Sequence, residues 1–239
     1  MQTATLSLFR YQGPTAKLWA FSQMGFARRP LARTPDLQFC KLFGSGTGEG
    51  FNPKPNFGVY AVLAVWPDAQ VARDRLAGAP IYQRFYDHAA EHWTAYLQAT
   101  RCWGSWDGRA PFAVADTAPP PRPVAVLTRA TLKLRHLPAF WRQVPSISAD
   151  IPNHPSMMLK IGIGEVPWIH QVTFSIWPDT EAMLAFSQNK AAHGEGVRRA
   201  WAHGWFKEQL FARFAVIRTE GAWEGRDPLA RAMVPPVAA

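Results

Sequence analysis

HQVTFSIWPDTEAMLAFSQNKAAHGEGVRRAWAHGWF, residues 170–206, is a strand that stops at a Trp-Pro-Asp corner and turns into a helix. Over 168–177 two sets of side chains alternate. Trp168, His170, Val172, Phe174 and Ile176 share one face, and Ile169, Gln171, Thr173, Ser175 and Trp177 share the other. That period of two, in aromatic and β-branched residues, is the signal of a strand. Pro178 cannot donate to a ladder and ends it. Asp179 supplies an N-cap, and Glu181 puts negative charge in the first helical turn, where the dipole favours it. His193, Val197 and Trp201 then follow at i, i+4 and i+8, which places the His193 imidazole on the apolar stripe of the helix.

The same stretch occurs twice. Val65-Trp66-Pro67-Asp68 returns as Ile176-Trp177-Pro178-Asp179 at an offset of 111. Arg10, Phe21 and Lys41 match Arg129, Phe140 and Lys160 at an offset of 119, and Gly46-Thr47-Gly48-Glu49 echoes Gly162-Ile163-Gly164-Glu165. Ser105-Trp106-Asp107-Gly108-Arg109 comes back as Ala222-Trp223-Glu224-Gly225-Arg226 at an offset of 117. Matches in one order along the chain predict a tandem duplication of two units, and the changes of offset fall where turns tolerate insertions.

Each unit reads βαββαβ, the ferredoxin-like order. In the first, strands are predicted at 3–10, 37–43, 57–66 and 94–103. Its first helix is predicted over 15–29, with Leu18, Phe21 and Phe26 buried, and its second after Asp68. In the second, strands are predicted at 124–132, 156–162, 168–177 and 210–218, with helices at 137–149 and from 179. The expected division is a first unit over 1–117, a stiff Pro-rich linker over 118–123, a second unit over 124–228 and a disordered tail over 229–239. The linker is short, so the open sheet faces are expected to bury each other in a pseudo-dimeric αβ barrel of the α+β class.

The 239 residues are 48% apolar, enough for a proper core, and no apolar run approaches a membrane span. There is no signal-peptide pattern, and Cys40 and Cys102 lack metal spacing, which predicts a reducing cytoplasm. A net charge of +9 with eleven tryptophans suits an acidic partner or an anionic lipid surface. The basic residues are scattered and carry no nucleic-acid signature, so no nucleic-acid partner is expected.

Gly44–Gly50 (GSGTGEG) lacks the Gly-Lys-Ser/Thr ending of a phosphate loop and misses the dinucleotide spacing, so it is read as a turn. His88-Ala89-Ala90-Glu91-His92 spells the H-x-x-E-H of inverted zinc peptidases, but its second copy keeps only His203 and no third ligand stands out. His193 is the asymmetric residue. The equivalent position of the first unit, sixteen after the Trp, is Tyr82. One imidazole among aromatic neighbours, with Arg198 and Arg199 close by for acidic groups, fits a haem better than a small cation, which needs more protein ligands. An ordinary core histidine is the alternative. His170 is the second-choice ligand.

IGIGEVPW (161–168), QVTFSIW (171–177), GWF (204–206), LWAF (18–21) and KLFGSGTGEGF (41–51) resemble the spheroidene monooxygenase family, the acyclic carotenoid 2-ketolases of purple bacteria. The likeness covers nearly the whole chain. It implies a haem-dependent, O2-dependent monooxygenase fed by a reduced ferredoxin. Such an enzyme oxidises the methylene beside the methoxy-bearing end of an acyclic carotenoid twice, giving a ketone through a geminal diol. The axial ligand implied by related αβ-barrel haem proteins falls on His193, the haem iron ligand. Arg129, Lys160 and His170 are candidates for the haem carboxylates or the distal side, with Arg198 a further cofactor-binding candidate. A polyene substrate implies a cytoplasmic protein peripheral to the inner or photosynthetic membrane. Two other classes share the features of the chain: a haem-binding or haem-degrading αβ-barrel protein, and a cofactor-free monooxygenase or ligand-binding barrel in which His193 is structural.

Overall fold

Thr3–Arg10 (β1) sets Ala4, Leu6 and Leu8 against Thr5, Ser7 and Phe9, so that both sides of the strand can be buried. Phe39–Gly46 (β2), Pro55–Trp66 (β3) and Glu91–Gly104 (β4) complete the first half. Val124–Leu132 (β5), Leu159–Gly164 (β6), His170–Trp177 (β7) and Phe206–Gly221 (β8) make the second. In the computed structural model, which describes residues 1–47, 54–115, 123–142, 156–188 and 204–230, these strands close into one antiparallel barrel in the order β1-β3-β2-β6-β7-β5-β8-β4. Each half therefore runs in the same sense, β4-β1-β3-β2 and β8-β5-β7-β6. Inward-facing residues of all eight strands form one apolar core, among them Leu6, Leu63, Leu97, Leu127, Ile161, Phe174 and Phe214.

Helices cover the outside. Gly13–Phe26 (α1), Arg28–Ala32 (α2), Ala69–Gly78 (α3) and Pro80–His88 (α4) belong to the first half. Residues 137–142 (α5) and Thr180–Gln188 (α6) belong to the second. Both Trp-Pro-Asp corners work as read. Asp68 accepts from Val71 N at 2.8 Å and Asp179 from Ala182 N at 2.8 Å, each satisfying an N-terminal amide of its helix.

Several expectations need correction. Leu18, Phe21 and Phe26 lie on the solvent side of α1, while Ala20 and Gln23 face the sheet. The turn expected from residue 44 starts later, because Gly44, Ser45 and Gly46 are still in β2, and Gly44 pairs with Gly164 to close the barrel. The tail also starts later: Leu229 is fully buried in the barrel core, and 231–239 lie outside the described residues. Residues 118–122 of the linker lie outside them too.

The pairing registers relocate two of the matched residues. Thr3 pairs with Trp66 and Val124 with Trp177, so β1 maps onto β5 at an offset of 121 rather than 119. Arg129 is thus level with Leu8, one inward-facing position deeper than Arg10. Phe39 pairs with Val65 and Leu159 with Ile176, an offset of 120, so Lys160 is level with Cys40. A one-residue slip reverses the face of a strand residue, and Lys41 and Lys160 accordingly point to opposite sides of the sheet.

Two hairpins lock the halves together at opposite ends of the β4–β8 ladder, which runs from Trp93↔Gly221 to Gly104↔Leu210. After β8, Gly225 N donates to Glu91 at 2.7 Å, Glu91 accepts from Arg10 at 3.1 Å, and Arg10 lies 4.4 Å from the Trp223 ring centroid. After β4, Gly108 N donates to Glu208 at 2.7 Å, Glu208 pairs with Arg129, and Arg129 lies 5.3 Å from the Trp106 ring centroid. Each half thus ends in a hairpin captured by the other. Burial would push the Glu208 carboxyl up, but donors from Gly108, Arg129, Ser105 and Asp107 outweigh it and hold the pKa at about 2.

The entry to each hairpin tolerates no side chain. A Cβ on Gly104 (φ +88°) would meet Gln209 O at 2.2 Å, and one on Gly221 (φ +85°) would meet His92 O at 2.3 Å. Gly104→Ala is expected to cost more than about 2 kcal/mol in chemical denaturation, whereas Gly108→Ala, strained but unobstructed, costs about 1 kcal/mol. Because the folded state holds Glu208 below its ordinary value of about 4.3, the stability it contributes is present above that pH and is lost as the pH falls towards about 2. Glu208→Gln should therefore flatten this part of the acid-unfolding profile, and leaving Arg129 short of a partner should cost about 3 kcal/mol at neutral pH.

Candidate functional site

The residues singled out in the sequence fall in three places. His193 and Arg198 lie outside the described residues. Arg129 and His170 meet at one end of the barrel, and Lys160 lies on the outer face of the second sheet.

At the barrel end, Arg129 is 1% exposed and is met by Glu208, by Asp107 at 3.4 Å and by Glu165 at 3.6 Å. Lys41 reaches the same cluster through Asp107 and, at 2.8 Å, Glu165. Trp106 Nε1 donates to Glu165 at 2.9 Å. His170 Nδ1 stands 3.7 Å from Glu165, and burial lowers the imidazole pKa against the opposing pull of that carboxylate. The guanidinium of Arg129 is thus matched by carboxylates of its own chain. His170 has the parity of Val172, Phe174 and Ile176, which fill the barrel, so it addresses this charged end and not the outer face. Lys41, Trp106, Asp107, Glu165 and Glu208 carry this cluster, and sequence reasoning missed it as a site. Its one signal was the repeated Trp-Asp/Glu-Gly-Arg string.

His88, Glu91 and His92 are not a metal site. The helix ends at His88 and β4 begins at Glu91, so the helical spacing that would join the two histidines is absent. His88 stacks on Trp19 at 3.8 Å, His92 lies against Tyr86 at 4.6 Å, and Glu91 holds Arg10. Among the described residues no group of three His, Cys, Asp or Glu side chains is placed to hold a metal ion.

The outer faces of the two sheets differ. In the first half, Phe9, Tyr60, Val62 and Tyr96 are buried beneath α1 to α4 with Ile81, Tyr82 and Phe85. The registers place Ala130 where the first half has Phe9, Gly162 where it has Leu42, and Thr173 where it has Val62. Gln171 stands for Tyr60 in the same way, and Lys160 for Cys40. Mostly large apolar groups are thus replaced by small or polar ones across three strands, β5, β6 and β7. Thr128 is exposed in the middle of β5, and Ala130, Thr173 and Ser175 are half-buried, where their counterparts Ser7, Phe9, Val62 and Ala64 are buried.

Arg213 adds charge to this face. Its Nη2 lies 4.0 Å from Met183 Sδ of α6, and its Nε is buried with no hydrogen-bond partner. Burial, reinforced by Arg101, lowers its pKa. A buried guanidinium nitrogen without an acceptor is costly unless an anion is supplied. The outer face of the second sheet therefore carries small residues, hydroxyl groups and a guanidinium with one unsatisfied nitrogen.

No family model matches the chain. Over 234 residues it is 47% identical to the spheroidene monooxygenase of Cereibacter sphaeroides, covering 98% of this chain and 72% of that protein. Over 232 residues it is 47% identical to the spheroidene monooxygenase of Rhodobacter capsulatus, covering 96% of each. The Rubrivivax gelatinosus spheroidene monooxygenase is 28% identical over 213 residues, covering 89% of this chain and 82% of that protein. Among solved structures, aldoxime dehydratase (OxdRE) in complex with butyraldoxime superposes with a TM-score of 0.61 at 10% identity, covering 90% of this chain and 79% of that one, which is a likeness of fold. By its identity to these relatives over nearly all of its length, the chain belongs to the spheroidene monooxygenase family.

Proposed function

We propose that this protein is a haem-dependent monooxygenase that introduces a keto group into an acyclic carotenoid, and that the groove on the outer face of the second sheet holds the haem. Membership of the family supports an oxidoreductase acting as a carotenoid monooxygenase. The observation that carries the cofactor reading is the paired difference between the sheets, Phe9 to Ala130 and Leu42 to Gly162, which puts small residues where the first half has large ones. The two halves are read as a duplication of one ferredoxin-like unit, in which the first copy keeps a sealed face and the second has opened it. The repeated strand order supports this.

On that reading His193 takes the place that Tyr82 has in the first half. Tyr82 is fully buried, faces the sheet 6.4 Å from Trp66, and leaves its hydroxyl without a partner. An imidazole at the equivalent position of the second half would face that sheet and hold the haem iron. Arg213 and Lys160 on the sheet, with Arg198, would meet the acidic groups of the porphyrin. Thr173 and Ser175 supply hydroxyls towards the same space. When bound, haem iron supplies dioxygen activation, with electrons from a reduced ferredoxin, a partner whose acidity would suit the net charge of +9. The protein's part is to bind, to orient the carotenoid end and to exclude water.

Purified protein reconstituted with haem is expected to show a Soret band that is lost in His193→Ala and kept in Tyr82→Phe. Ala130→Phe with Gly162→Leu, which restores the first-half side chains, should weaken haem binding roughly tenfold or more without unfolding the barrel. With spheroidene, ferredoxin, a reductant and O2, the expected product is the ketone. Haem destroyed under these conditions would assign a haem-degrading protein instead, and a protein without a Soret band would return the cofactor-free class.

A further inference from the structure

Helix α1 is apolar on two sides. Ala20 and the half-buried Trp19 and Met24 pack towards the sheet with Phe9, Tyr11 and Tyr60. On the other side Leu18 is 70% exposed, Phe21 54% and Phe26 76%. Phe57 at the start of β3, 50% exposed, meets Phe21 edge-on at 5.7 Å and extends the patch. Lys17 is the one charged residue of α1, and Arg28, Arg29 and Arg33 follow at its C-terminal end, all exposed. The first 35 residues contain no Asp or Glu, and the next residue, Asp36, is paired with Arg75.

We propose that this face of α1 docks on an anionic lipid bilayer, with Leu18, Phe21, Phe26 and Phe57 entering the acyl boundary and Lys17, Arg28, Arg29 and Arg33 meeting lipid phosphates. An exposed apolar helix face ringed by cations is the pattern of an interfacial helix. The charge decides between the possible occupants. In a twofold contact with a second copy, this basic rim would face itself with no acidic residue of α1 or α2 to pair with. Among the described residues no helix is long and apolar enough to cross a membrane, so the contact is one of lying on the surface.

The inference does not depend on the reaction, since it is read by flotation of the full chain without substrate. The probes are vesicles of phosphatidylcholine and phosphatidylglycerol in equal parts, against vesicles of phosphatidylcholine alone. The wild type is expected to float with the mixed vesicles, weakly with the neutral ones, and less at high salt. Leu18→Ser/Phe21→Ser/Phe26→Ser should lose binding roughly tenfold or more while keeping the circular dichroism of the folded barrel, because all three side chains are more than half exposed. Arg28→Glu/Arg29→Glu should erase the preference for the anionic vesicles, and Leu134→Ser, exposed on the second half, should change nothing. Failure of the wild type to float with mixed vesicles overturns the proposal. So does a triple variant that floats as well as the wild type, or one that loses only a concentration-dependent dimer. A protein that docks and yields no ketone leaves the docking standing and removes the proposed reaction.

Discussion

Two carboxylates hold this barrel shut. Glu91 binds the hairpin that follows β8, and Glu208 binds the hairpin that follows β4, so each half is completed by a piece of the other. The reciprocity matters because the two seams between the halves are unequal. β2 and β6 share two residue pairs, while β4 and β8 pair along their length. A barrel closed by two pairs would open there unless the ends of the long seam were fixed. Charge-assisted hydrogen bonds to backbone amides, with arginines packed over Trp223 and Trp106, fix them. Independent ferredoxin-like domains would need neither hairpin.

The second lock carries a heavier electrostatic load. Arg129 takes the level at which the first half has Leu8, so a guanidinium stands where a methyl-rich side chain would fit. Burying it is favourable only with full compensation. Glu208, Asp107 and Glu165 surround Arg129, and Lys41 pairs with two of the three, Asp107 and Glu165. His170 sits at the edge of this arrangement, with burial depressing its pKa against the pull of Glu165. Arg129, a candidate for the haem carboxylates on sequence grounds, is in the structure ion-paired within its own chain in the barrel mouth.

Much of the fold was legible because its signals are local. The Trp-Pro-Asp corners, the period-two strands and the repeated strings each depend on a few neighbouring residues; the cap at Asp179 formed as read, and Asp68 caps its helix in the same way. Register was not legible, since matching letters at a fixed offset is blind to a shift of one or two residues in a strand. That shift put Arg129 level with Leu8 and turned Lys160 to the outer face. The H-x-x-E-H string failed for a related reason, as its helical reading needed a helix running past His88. The small residues of the second outer face were present in the sequence as Ala130 and Gly162, but only the correct register shows which large residues they replace. Periodicity also could not say which side of α1 was wet, because that helix has apolar residues all round and so asks for two partners.

The position of the core limits how a long polyene can reach its oxidant. Side chains from all eight strands fill the barrel, and Arg129 with its carboxylates occupies one mouth, so the interior is no conduit. The groove proposed for the haem belongs to the outer face of the second sheet, whereas α1 packs on the first. If α1 rests on lipid, it acts as an anchor that sets the orientation of the molecule, and a carotenoid end must enter the groove from its rim along the outside of the barrel. The asymmetry between two halves of one strand order then has a division of labour. The first half would carry stability and attachment, and the half with Ala130, Gly162 and Arg213 would carry the proposed haem site.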